Sequence, residues 1–489
     1  MKKVVLFTVI CFVFSLLALT SCKKDVEEAS PNLKQIDQEN VKVLYITNPT
    51  DKKKKYDEVW VKIDYEHERE TEVNSVQNIT YVEHTAPYNT RRVNSSSLIF
   101  NTERASKVTK PEKMYSKGDW KYITDIRRNR NSKATMVYEG EYCYIWTYDD
   151  ENRDSILNDS EIEAFAKKFD VIYREETALC GPKYNGETVY NNVINPNAKI
   201  SLMLCDIGQD EALGDWYGYF TQNNYFVKEA VRDSNEMEII FVDSYYAKRG
   251  DRGGELFSTI AHEFNHLLNF CNKELKYGLQ ENIWYTEMLA MLCEDFFEED
   301  LGLDDEHGVK QRLFNGFVKG SYNKGFGNWV NEDVFVSSNY ANAYAFGAFL
   351  ARNYGGARLI HEIMTNEYVN EESVVNAVNK INGTELTFDD LLNDFPLILI
   401  NTKNQNSNEP SLYKSISEEL PDFPDYTYKL KEIDLGDFEG AESSIIKDNP
   451  NFASDLLLDS YGFQLYYFST PTKVSLTKKN FLNHRFLLY

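Results

Sequence analysis

Between Leu256 and Leu268, apolar side chains recur at Leu256, Ile260, Phe264, Leu267 and Leu268, the spacing of one face of an α-helix. Inside that run stands His262-Glu263-Phe264-Asn265-His266. Histidines four residues apart are one helical turn apart and share a face, so two neutral imidazoles can meet one zinc ion. The glutamate after the first histidine then stands where it can take a proton from a water on the cation. The surroundings are in the order such a site needs. Met237 to Asp243 reads as a short buried strand, Gly253-Gly254 as a loop, and the motif helix follows.

A third donor has to come from elsewhere in the chain. Asn269 and Asn272 stand where a metzincin would carry glycine and histidine, which excludes that class. Cys271 lies five residues beyond His266, roughly opposite the histidine face. Glu287 is the better candidate. It sits in a second helical run whose apolar spine is Trp284, Met288, Leu292 and Phe296, and a loop containing Gly278 lets the two helices pack antiparallel. Glu294, two turns further along the same face, is placed to accept a hydrogen bond from a ligand histidine and orient it. A surface or capping glutamate is the alternative reading of that residue.

Two histidines followed by a glutamate on the next helix is the gluzincin pattern. The stretches Ser258 to Phe270 and Thr286 to Asp295, with Leu202 to Ile207 and Trp216 to Phe220 upstream, resemble the hyicolysin-like zinc metallopeptidases over roughly residues 140–400. The resemblance implies an α+β, zincin-like (thermolysin-like) catalytic domain. It also implies a substrate lying extended against an edge strand, for which the run 237–243 is the candidate. The segment from Tyr340 to Gly355-Gly356 resembles one in aminopeptidase-type gluzincins that opens with tyrosine and closes with Gly-Gly. In those relatives the tyrosine donates to the oxyanion, a role a neutral phenol can fill, and the matching position is Tyr340, with Tyr344 as runner-up. The Gly-x-Met-Glu-Asn loop with which aminopeptidases grip a substrate amino terminus is absent from this sequence, which favours an endopeptidase.

The amino-terminal residues form an address. Lys2-Lys3, the apolar stretch Val4 to Leu19 and then Leu19-Thr20-Ser21-Cys22 match a bacterial lipoprotein signal, with Cys22 as the lipidated residue. The expectation is an extracytoplasmic protein tethered to the cell-envelope membrane, with outer membrane or cell surface favoured. The net charge of −24, from 53 basic and 77 acidic residues, carries no basic footprint for nucleic acid. Of seven cysteines, Cys11 and Cys22 leave with the signal or take lipid. Cys143, Cys180, Cys205, Cys271 and Cys293 remain, an odd number that cannot all pair internally. Cys271 and Cys293 follow the two motif helices and are candidate neighbours, with buried free thiols at least as fitting. Asp206, Asp210 and Glu211 are acidic enough to draw calcium, but their spacing matches no known loop.

The expected organisation is a signal over 1–21, a tether over 22–40, a β-rich domain over 41–135, the zincin domain over 136–404 and a β-rich domain over 405–489. The lysine run at 52–55 reads as a solvated hairpin tip, Ser160 to Tyr173 as a helix, and Glu372 to Ile400 as helical around Gly383-Thr384. The functional expectation is a zinc-dependent endopeptidase acting on extracytoplasmic protein or peptide. The alternatives are a silent zincin-fold surface binding protein and a zinc hydrolase of a non-peptide bond.

Overall fold

The computed structural model describes residues 33–50, 61–65, 112–152, 156–208, 217–249, 255–303, 308–318, 321–329, 336–400, 409–438, 446–447, 458–479 and 482–488. The signal with Cys22, the lysine run, Asp210, Glu211, Trp216 and Gly253-Gly254 lie outside the described residues. Two strands come first, β1 (Leu33–Thr47) and β2 (Val61–Tyr65). The sheet that carries the site follows. It is built from β3 (Trp120–Asp125), β4 (Arg130–Glu139), β5 (Cys143–Tyr148), β6 (Ile200–Cys205), β7 (Gly218–Phe220) and β8 (Ile239–Asp243), in the order β3-β4-β5-β6-β8-β7. The first three form an antiparallel meander, β5, β6 and β8 run parallel, and β7 closes one edge antiparallel to β8.

β6 and β8 are buried at every position, because strands covered on both faces need apolar side chains on both. Leu202, Leu204, Ile240 and Val242 face the helices, while Met203, Cys205, Ile239 and Phe241 pack with Trp146 and Tyr219 on the other side. The strand expected at 237–243 therefore exists, but it lies inside the sheet. The short β7 holds the edge beside it, because three residues pair there with Ile240 to Val242.

The crossover from β5 to β6 includes helix α1 (Asp159–Cys180), longer than its apolar spacing indicated. Asn158 caps it through the amides of Ser160 and Glu161, and the Glu161 side chain returns a bond to the Asn158 amide. After β8 come α2 (Ser244–Arg249), α3 (Glu255–Phe270), α4 (Ile283–Leu301), α5 (Val309–Val318), α6 (Val336–Tyr354), α7 (Gly356–Thr365), α8 (Asn370–Asn382) and α9 (Phe388–Asp394). Helix α3 passes into a single π-turn over Cys271–Leu275 before Gly278, at φ 71°, turns the chain towards α4. Ser258 and His262 on α3 touch Glu294 on α4, and His266 touches Glu287. Rising numbers on one helix meet falling numbers on the other, so the pair is antiparallel as expected.

The tether expected over 22–40 overlaps β1, which begins at Leu33. The boundary expected at 135/136 falls inside β4, which hydrogen-bonds with β5 of the site-bearing sheet. The β-rich segment from 405 divides in two. The hairpin of β9 (Ile416–Leu420) and β10 (Phe423–Leu430) packs on the helices, with Tyr428 edge-on to Phe296 and donating to the Glu175 carbonyl at 2.9 Å. Beyond it, β12 (Phe463–Lys479) pairs with β1, β2 and β11 (Ile446–Lys447), and β13 (Asn483–Leu488) with β1. The first and last described strands thus share one sheet. Apolar alternation marks a strand without naming its partner, so two β-rich segments read as two domains.

Candidate metal centre

The motif helix α3 is buried almost throughout, and α4 lies against it. His262, His266 and Glu287 are each fully buried. Glu287 Oε2 lies 3.1 Å from His262 Nε2 and 3.5 Å from His266 Nε2. The imidazole rings stand 4.7 Å apart at 83°. Two ring nitrogens and a carboxylate oxygen, all within 4.8 Å of one another, are the donor set and the spacing that a tetrahedral zinc with one open position takes.

Glu294 sets the tautomer. A carboxylate only accepts, so His262 Nδ1–H donates to Glu294 Oε1 at 2.9 Å, while its Nε2 faces Glu287 Oε2 at 3.1 Å, where a cation would take the place of the second ring proton. The other oxygen of Glu294 takes a hydrogen bond from Ser258 Oγ and an ion pair from Arg312 Nη2, each at 2.5 Å. Arg312 comes from α5.

Glu263 points to the opposite flank. Its Oε2 accepts from the Phe220 backbone amide of β7 at 2.8 Å, and among the described residues its Oε1 accepts no hydrogen bond. Gly218 lets β7 lie close against β8, since a Cβ there would lie 2.9 Å from the Phe241 carbonyl. The edge strand therefore meets the general-base candidate directly.

The electrostatics follow from three carboxylates in a dry pocket. Burial pushes Glu263 up to about 8, and Glu287 adds to the rise, while His262, the Phe220 amide and Arg127 pull the other way. Burial also acts to raise Glu287, but His266 and His262 outweigh it and hold that carboxyl at about 2. Burial works against charge on His262, yet Glu287 and Glu294 overcome it and raise its pKa well above the ordinary value. Burial lowers His266, favouring the neutral base that a metal requires. The pocket thus calls for positive charge at His262 and Glu287, which a divalent cation would supply in place of a proton.

Tyr340 is buried on α6, edge-on to Trp329 with ring centroids 4.9 Å apart. The runner-up Tyr344 donates to Asp295 Oδ2 at 2.9 Å beside the buried Arg352, a structural engagement. Cys271 lies against the Tyr225 hydroxyl, and Cys293 is beside Cys180 rather than Cys271. Asp206 pairs with Arg128 at 2.9 Å. Among the described residues no helix is long and apolar enough to cross a membrane. Sequence reasoning missed Ser258, Arg312 and the Phe220 amide. Ser258 sits one turn before His262 and carried a readable signal. Arg312 and Phe220 carried none, being brought in by separate elements.

A family model described as Peptidase M30 matches residues 128–434. That span starts in the turn between β3 and β4 and ends just after β10, so it takes in the whole α3–α4 site and the hairpin packed on it. The chain is 25% identical over 311 residues to "Neutral metalloprotease ShpI" of Staphylococcus hyicus, covering 61% of this chain and 66% of that protein, just under two thirds of its length. Among solved structures, an M1 zinc metallopeptidase from Deinococcus radiodurans aligns with a TM-score of 0.30 at 13% identity, over 52% of this chain and 49% of that one. A mutant of the same enzyme gives 0.29.

Proposed function

Because the chain belongs to the Peptidase M30 family, we propose that it is a zinc-dependent endopeptidase whose ligands are His262, His266 and Glu287. The observation that carries this reading is the convergence of those three buried donors beside Glu263. A zinc ion held there would activate a water as nucleophile and polarise the scissile carbonyl. Glu263, anchored through one oxygen by Phe220 and with the other accepting no hydrogen bond among the described residues, takes the water's proton and delivers it to the leaving amine. Glu294 holds His262 in the required tautomer, and Arg312 holds Glu294 ionised. The substrate adds to the edge strand β7 in extended form, which brings its scissile carbonyl to Glu263. Tyr340 is proposed as the donor to the oxyanion. Endopeptidase action is favoured over aminopeptidase action by the absence of a Gly-x-Met-Glu-Asn run.

The proposal extends to location. The lipobox-like Leu19-Thr20-Ser21-Cys22 supports lipidation at Cys22 and work on extracytoplasmic protein or peptide at the envelope membrane.

The test compares bound zinc and casein digestion for the chain lacking residues 1–22 and its Glu287→Ala variant. The expected result is chelator-sensitive digestion in the wild type, with one zinc fewer and no digestion in the variant. Equal zinc in both chains would remove Glu287 from the ligand set. Zinc loss in the variant with no digestion by either chain would move the reading to a narrow or non-peptide hydrolase.

A further inference from the structure

A second cluster of donor side chains lies behind the candidate catalytic helix. Glu176 and Cys180 stand four residues apart in the last turn of α1, on one face, as His262 and His266 do on α3. Cys293 reaches them from α4, one residue before Glu294. All three are buried, and one carboxylate oxygen and the two sulfurs lie within 4.8 Å of one another. The sulfurs are 3.5 Å apart and both thiols are free.

Two details separate this cluster from an ordinary pocket of buried thiols. The first is the carboxyl of Glu176. It is 0% exposed, and among the described residues its oxygens find no hydrogen-bond partner other than the neighbouring Cys293 sulfur. Native interiors seldom leave such a group unsatisfied, because the desolvation cost is not recovered. The second is Asn265, between the ligand-bearing turns of α3. Its Nδ2 donates to Cys180 Sγ at 3.3 Å and to Cys293 Sγ at 3.0 Å, so both sulfurs are held as acceptors, while its Oδ1 has no hydrogen-bond partner. Amide N–H groups aimed at sulfur are the outer support that a metal thiolate takes.

A disulfide would account for the sulfurs and leave the carboxylate stranded. A cation accounts for all three groups at once. Two sulfurs each about 2.3 Å from a tetrahedral ion stand roughly 3.8 Å apart, close to the observed spacing. We propose that Glu176, Cys180 and Cys293 form a second, structural binding site for a thiophilic divalent cation of the zinc type. Asn265 supports the sulfurs through its amide nitrogen. The site is closed to solvent, as structural zinc sites are, and it clamps the end of α1 to α4 directly behind the helix that carries His262 and His266. It stands independently of the catalytic reading, sharing no ligand with it.

The test uses the full-length protein, stripped of metal with a chelator and titrated with cobalt(II) as the probe. Sulfur-bound cobalt shows an intense near-ultraviolet charge-transfer absorption, which a site of two histidines and a glutamate lacks. The expected result is about two equivalents of cobalt per chain, with the charge-transfer band belonging to one of them. His262→Ala should keep the band and lose one equivalent. Cys180→Ser and the near-isosteric Glu176→Gln should lose or shift the band and keep the other equivalent. One equivalent with the band would support the sulfur site and count against the catalytic one. One equivalent without it would overturn this proposal alone. An intact mass two hydrogens light before reduction, restored by reductant and absent in Cys180→Ser, would also overturn it in favour of a disulfide.

Discussion

At the scale of single residues, the site depends on carboxylates kept in different states by their neighbours. Glu263 is pushed up to about 8 chiefly by burial, whereas Glu287 is held at about 2 by the imidazoles against the same burial. Glu263→Gln should keep zinc stoichiometry and lower kcat by at least about 10²-fold, since a general base contributes that much or more. Native turnover in that variant would remove Glu263 from the mechanism. Glu294→Gln replaces the anion on His262 Nδ1 with a neutral group. Zinc affinity, measured by competition with a chelator, should fall by about 10–100-fold. Arg312→Met leaves the buried Glu294 without its cation, and urea unfolding should report a loss of about 3–5 kcal/mol. A change within about 0.5 kcal/mol would mean that Ser258 and His262 suffice to hold Glu294. Of these residues, the histidines and Glu263 were legible because the chemistry resides in local spacing. Arg312 was not, because its partner lies on another helix.

At the scale of elements, α4 is held in place by α6 packed against it. Gly347 permits the close approach, since a Cβ there would lie 2.7 Å from Met288 Cγ and 2.9 Å from Leu292 Cδ1. Both neighbours sit on the helix that carries Glu287, and Met288 is next to it in the chain. Gly347→Ala should therefore cost about 1–3 kcal/mol through overpacking, read as a lowered urea midpoint at unchanged slope. An unchanged midpoint would show that the α4–α6 contact yields freely. The helices themselves were readable from apolar periodicity, and the antiparallel contact between α3 and α4 followed from a short connection. The role of β7 was not. Three residues are too few to show an alternation, and its place at the sheet edge is set by pairing with β8.

For the whole molecule, a buried ionisable group sits where separate segments meet. Glu238, just before β8, accepts from the Asn197 amide at 2.7 Å and lies 3.6 Å from Lys183. Burial raises it to about 7, with Lys183 and the Asn197 amide pulling the other way. The folded chain then keeps a proton that the unfolded chain has lost. This stabilisation is full below the ordinary value of 4.5 and fades as pH rises through about 7. Urea unfolding of Glu238→Gln and wild type at about pH 5 and about pH 7.5 checks this: the wild type should lose more stability between the two than the variant. Equal losses would show that Glu238 is not the group responsible.

What depends on neighbours along the chain could be read locally. A two-histidine helix follows a buried strand, a glutamate stands on the next helix, and a second carboxylate lies two turns beyond it on the same face. The sequence also carried the resemblance to a metallopeptidase family, which the match over residues 128–434 bears out at family level. Tertiary structure alone decided what depends on distant pairing. It brought β1 to β12 and β13 across the length of the chain, joined β3 and β4 to the site-bearing sheet, and gave the sheet edge to β7 instead of β8. It also placed Cys293 with Cys180 and Glu176 instead of Cys271. Helical periodicity tells which residues share a face. Which face meets which neighbour is settled by packing, where burial of the whole apolar surface outweighs any local preference.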